Sequence, residues 1–165
     1  SKAIGLRDMG PALSPMNAFL LLQGLETLSL RMERHVANAD KVAAWLAEHP
    51  QVAWVSYPRL PQNRTPQLDT YCPKGVGSVF TIGVKGGYEM GVKMVDGCEL
   101  FSHVANIGDT RSLIIHPAST THRQLTAEQQ EAAGAGPDVV RLSIGIESAD
   151  DIIADLDQAL AKAAR

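Results

Sequence analysis

Val139–Glu147 reads VVRLSIGIE. An apolar, β-branched run of this kind is the pattern of a buried strand, expected over Val139–Ile146. Arg141 lies inside that run. A guanidinium taken from water without a partner is very costly, so some group must answer the charge. Two answers stay open on the residues alone. One is an internal ion pair with Glu147 or Asp150. The other is the carboxylate of a ligand, gripped by both arms of the planar fork.

Downstream of this strand, Ser148 and Asp151 open a last helix, and Ile152, Ile153, Leu156 and Leu160 fall on one of its faces. Upstream, Thr126–Ala132 is expected to be a short helix, with Thr126 and Gln129 spaced as a capping box. Before it comes Phe101–His122, FSHVANIGDTRSLIIHPASTTH. The pattern predicts two strands, 100–105 and 112–116, joined by a turn at Asn106–Thr110. Asn106, Gly108, Ser112, Ser119, Thr120 and Thr121 gather short polar groups there. Such groups either hydrogen-bond a small polar ligand or simply serve the turn.

The first half of the chain is more regular. Ser1–Gly10 reads as a surface lead-in. Ser14-Pro15 is a helix start, with Ser as cap and Pro at the first helical position. Helix is predicted from Met16 to Glu48, with Gly24 and Thr27–Ser29 as the place where it can split in two. Leu28, Met32, His35, Ala39, Val42 and Leu46 then recur at spacings of three and four, and His49-Pro50 stops the helix. Val52–Tyr57 and Ser78–Val84 are expected strands, Arg59–Lys74 an irregular loop, Gly86-Gly87 a turn, and Tyr88–Asp96 a short helix. Strands interleaved with helices predict an α/β fold, a two-layer sandwich with helices packed on one sheet, organised as one domain over 1–165.

Composition bounds the possibilities. The 165 residues are 45% apolar and 20% charged, enough for one domain with a real core. A net charge of −3 argues against a nucleic-acid binder. No apolar run approaches the ~20 residues of a membrane helix, and no signal-peptide pattern opens the chain. Cys72 and Cys98 sit in no metal-spacing motif, so a reduced, cytoplasmic setting is expected. Nothing in the sequence marks either thiol as a nucleophile. Gly75-Val76-Gly77 does not extend to a dinucleotide-binding fingerprint. Phosphate-loop, nucleophile-elbow and H-E-x-x-H motifs do not occur. His103, His116 and His122 match no common zinc spacing and are expected to be ordinary hydrogen-bonded histidines.

Three ordered stretches carry a resemblance: RDMGPALSPMNAFLLLQGLETLSLRMERHVANA, LFSHVANIGDTRSLIIHPASTTH and VVRLSIGIESADDIIADL. Together the chain resembles the C-terminal part of the pyridoxal-phosphate enzymes of cysteine and methionine metabolism. Within that family ANIGD with RSLIIHPASTTH is most similar to the O-acetylhomoserine sulfhydrylases, with methionine γ-lyases next. Cystathionine-type members typically carry an acidic residue and Ser where this chain has Ala105 and Asn106. Arg59 stands where a Gly is usual.

The resemblance implies a small, mostly antiparallel sheet with helices on one face, the C-terminal domain of fold-type I enzymes. It implies substrate-binding roles for three residues. Arg141 would hold the α-carboxylate of an amino-acid substrate, Asn106 would assist, and Thr121 would line the same pocket. The family's Schiff-base lysine lies in a Ser-x-Thr-Lys context. Lys2, Lys41, Lys74, Lys85, Lys93 and Lys162 lack it, so no catalytic residue is assigned in this chain. The implied cofactor, pyridoxal phosphate, would be bound mainly by an N-terminal domain that is not part of it. The implied reaction is γ-replacement on O-acetyl-L-homoserine by sulfide or methanethiol, giving homocysteine or methionine, in a homo-oligomeric enzyme. The alternatives are a γ-lyase or cystathionine-type domain, or a non-catalytic module that binds an amino acid or a protein.

Overall fold

The structure, a computed structural model, describes residues 2–165. The chain divides into two compact units, one running up to Met32 and the other from Glu33 to Arg165.

In the first unit a π-helical segment, Lys2–Asp8, precedes helix α1, Pro15–Glu26. The Ser14 hydroxyl accepts the Asn17 N–H at 3.1 Å, and Pro15 takes a position where its missing N–H costs nothing. No residue of α1 is buried. Met16, Phe19, Leu20, Leu21, Leu22 and Leu25 are each more than half exposed. The helix breaks at Thr27, within the predicted interval, and α2, Leu28–Glu48, begins at once.

In the second unit α2 buries His35, Ala39, Val42 and Leu46 of the expected stripe together with Asn38 and Ala43, whereas Leu28 and Met32 of that stripe are not buried, and the helix stops before His49-Pro50. Four strands follow: β1 Val52–Ser56, β2 Val79–Val84, β3 Leu113–Ile115 and β4 Val139–Ser143. They form one sheet in the order β1-β2-β4-β3, antiparallel at every pair. The remaining helices are α3 Leu68–Tyr71, α4 Gly87–Gly97, α5 Ala127–Ala132 and α6 Ala149–Ala163.

Register assigns the two faces of the sheet, because directly paired residues point the same way. Phe80, Leu142 and Ile114 form one row, and Ile82 pairs with Val140. These residues share a single core with Ala39 and Val42 of α2, Met90 and Met94 of α4, and Ile152 and Leu156 of α6. The helices therefore pack on this face. The opposite face carries the rows Thr81–Arg141–Ile115 and Val79–Ser143–Leu113. The α/β two-layer arrangement with a small antiparallel sheet is the one expected.

Local chemistry explains most elements. Thr126 and Gln129 make both bonds of the capping box that opens α5. Ser148 stands at the cap position of α6, but its side chain makes no capping bond. Gly91 of α4 faces His116 so closely that a Cβ would lie 2.6 Å from the ring, and only Gly fits there.

Two expectations differ from the fold. The interval 100–105 is not a strand; Ser102 alone makes a bridge, parallel, to Leu113. Asp155 of α6 accepts the N–H groups of Glu99, Leu100 and Phe101, which removes them from any ladder. The loop 59–74 is more ordered than its prolines suggest. It contains a 3-10 turn, Pro61–Asn63, and α3. The Asn63 side chain pins it by donating to the carbonyls of Val55 and Tyr57.

Candidate functional site

β4 is paired on both sides, with Thr81 of β2 opposite Arg141 on one edge and Ile115 of β3 on the other. The backbone of Arg141 is thus fixed by ladder bonds rather than by its own side chain. The half-buried guanidinium meets no acid among the described residues. The two acids offered as internal partners are engaged elsewhere. Glu147 accepts from Ser112, and Asp150 pairs with Lys41. The one hydrogen bond found for the Arg141 side chain runs from Nη2 to the Asn106 carbonyl, at a long 3.5 Å.

Arg141 and Asn106 line one shallow recess with Val104, Ala105, Leu113, Ile115 and Ser143. Its walls are largely apolar, which strengthens any charge–charge contact made within it. Such a recess, with an unpaired guanidinium, suits a carboxylate. Ser143 follows Arg141 by two residues and so points to the same face. It is buried, and its hydroxyl has no hydrogen-bond partner.

The loop carrying Asn106 is shaped locally. The Asn106 side chain accepts the Ile107 N–H at 2.9 Å, and Gly108 takes the left-handed conformation at φ 72°. The Arg111 N–H donates to Asp109 at 3.0 Å and is the main reason the Asp109 carboxyl sits below the usual carboxylate range. Thr121 is not part of the recess wall. It is exposed, and its hydroxyl bonds the neighbouring His122 ring at 2.8 Å.

The other candidate groups have ordinary explanations. His116 is buried with both ring nitrogens occupied, Nδ1 by the Ser119 hydroxyl and Nε2 by the Pro137 carbonyl, each at 2.9 Å. A carbonyl only accepts, so Nε2 carries the proton. Among the described residues no three His, Cys, Asp or Glu side chains are grouped to hold a metal ion. No lysine lines the recess. Lys41, Lys85 and Lys162 bond to Asp150, the Pro50 carbonyl and Glu99 respectively. The recess therefore lacks the lysine and the phosphate cradle that a pyridoxal phosphate needs; the charge it offers is the Arg141 guanidinium. Among the described residues no helix is long and apolar enough to cross a membrane.

Two features escaped the sequence. Ser143 was findable, since period-two alternation from Arg141 places it on the same face. The pairing of Ser112 with Glu147 joins residues far apart in the chain, and no local signal announces it.

The sequence profile described as Cys/Met metabolism PLP-dependent enzyme matches residues 2–161. An O-acetyl-L-homoserine sulfhydrylase of Leptospira meyeri is 54% identical over 158 residues, covering 94% of this chain and 36% of that protein. O-acetyl-L-homoserine sulfhydrylase 1 of Thermus thermophilus is 52% identical over 158 residues, covering 95% and 38%. A crystal structure described as an O-acetylhomoserine (thiol)-lyase of Campylobacter jejuni, with a pyridoxyl-lysine monophosphate, aligns at a TM-score of 0.86 and 46% identity. That alignment covers 97% of this chain and 39% of the other. The chain thus spans less than two fifths of the length of these relatives.

Proposed function

Because this chain belongs to the Cys/Met metabolism PLP-dependent enzymes, we propose that it is the substrate-anchoring part of an O-acetylhomoserine sulfhydrylase. Arg141 binds the α-carboxylate of the amino acid and Asn106 completes the contact, while Thr121, exposed and bonded to His122, stands outside the recess. The complete enzyme replaces the acetate of O-acetyl-L-homoserine with sulfide or methanethiol. The names of the relatives support this choice within the family.

The observation that carries the reading is Arg141 itself. It stands in the middle of a sheet, unpaired by any acid among the described residues, beside the Asn106 carbonyl and above apolar walls. A guanidinium kept in that state is ready for an external carboxylate. Two-point fixing of the carboxylate orients the rest of the amino acid before chemistry begins.

Pyridoxal phosphate supplies, when bound, the electron sink for this type of chemistry. Residues outside this chain hold it. The apolar α1 supports a large partner surface, since a helix apolar on all sides is normally covered. We assign that cover to the remainder of the same enzyme, and the whole to a homo-oligomer of the cytoplasm. The two free cysteines, one of them exposed, agree with a reducing compartment.

The test is Arg141→Ala in the complete enzyme containing this chain. Loss of the anchor is expected to cost about 2–5 kcal/mol in kcat/KM for O-acetyl-L-homoserine. An unchanged kcat/KM overturns the assignment.

A further inference from the structure

Strand pairing fixes Arg141, but it does not fix Asn106. The segment from Val104 to Arg111 makes no ladder bonds, so the other half of the recess hangs on a loop. That loop rejoins the sheet at Ser112, which is fully buried. There the Glu147 carboxylate accepts twice from one residue, from the Ser112 N–H at 2.6 Å and from its hydroxyl at 2.9 Å. The same hydroxyl accepts the Gly145 N–H at 2.9 Å, and the Ile146 N–H donates to the Thr110 carbonyl at 2.9 Å.

The clamp is itself anchored. Asn38 of α2 donates to the carbonyls of Gly145 and Glu147, at 3.0 and 2.8 Å. Gly145 permits the close approach: a Cβ there would lie 2.5 Å from the Thr110 carbonyl oxygen. The loop end, the turn after β4 and α2 therefore form one polar cluster. Glu147 is its only charged acceptor among the described residues, and charge-assisted bonds are the strong ones.

We propose that Glu147 is a positioning residue for the carboxylate site: through Ser112 it sets where the Asn106 loop stands relative to Arg141. Glu147 touches no substrate. Its effect is geometric, and it is specific to whatever the Arg141–Asn106 pair binds. The proposal rests on the carboxylate-anchoring reading of Arg141.

The experiment measures kcat/KM in the complete enzyme for O-acetyl-L-homoserine and for its α-carboxamide, which keeps the shape and loses the charge. Glu147→Ala is expected to reduce the preference for the acid about tenfold or more, because misplacing a positioning group by an ångström can cost about a hundredfold. Glu147→Gln, which still accepts from the Ser112 N–H, is expected to recover most of that preference. If Glu147→Ala does not fold, Ser112→Ala removes the two hydroxyl bonds and is read the same way. Equal losses on acid and amide mean a merely structural role and overturn the proposal. If Arg141→Ala also leaves the acid preference intact, the underlying reading fails; if only the Glu147 and Ser112 variants leave it intact, this proposal alone fails.

Discussion

The hydroxyl of Tyr57 is shared between the Asp40 carboxylate, at 2.9 Å, and the Gly77 carbonyl, at 3.2 Å. Burial first, and the hydrogen bond it donates to Asp40 second, hold its phenol well above the ordinary value near 10. A raised folded-state value means that this group's contribution to stability is complete below about pH 10 and is lost as pH rises above it. Absorbance titration should show Tyr57 ionising last of the three tyrosines. Tyr57→Phe should remove that late step and flatten the alkaline fall in stability. A late step that survives the substitution would refute the assignment.

Asp155 ties α6 to the segment before Ser102. Its carboxylate accepts from Glu99 at 2.8 Å, Leu100 at 2.9 Å and Phe101 at 3.3 Å. Asp155→Ala leaves these N–H groups without an acceptor in a partly buried place and should lower unfolding free energy by about 3 kcal/mol. Denaturant titration reads this directly. A loss below about 1 kcal/mol would mean that water replaces the carboxylate.

The two thiols should differ sharply in reactivity. Cys72 is exposed. Cys98 donates to the Met94 carbonyl at 3.4 Å, and burial pushes its thiol up to about 12. The thiolate is the reactive form, so brief alkylation at pH 8 followed by peptide mapping should find the label on Cys72 alone. Rapid labelling of Cys98 in folded protein would contradict this burial.

The exposed apolar surface of α1 should make the isolated chain self-associate. Sedimentation should show a weight that rises with concentration. Replacing Leu21 and Leu25, which lie one turn apart on α1, with Gln should shift the chain toward monomer without lowering its melting temperature. A concentration-independent monomer from the unmodified chain would show that this surface does not drive association.

The parts of the fold that depend on neighbours in the chain were readable. The stripe from His35 to Leu46, the stop at His49-Pro50, the split near Thr27 and the capping box at Thr126 all express contacts within one or two helical turns. β4 was readable for the same reason, since alternation and β-branching are local properties. The interval 100–105 misled because its strand-like residues spend their N–H groups on Asp155, more than fifty residues ahead.

By itself the sequence determined that a strand passes through Arg141 and that some partner must answer its charge. Whether an internal acid would do so was beyond it, because electrostatic pairing depends on distance in space. Only the tertiary structure decided that Glu147 turns to Ser112, that Asp150 turns to Lys41, and that Arg141 is left facing Asn106 across an apolar-walled recess. Hydrophobic periodicity is written residue by residue along the chain. The assignment of acids to partners is settled only when the helices and sheet close on one core and bring distant carboxylates within hydrogen-bonding reach.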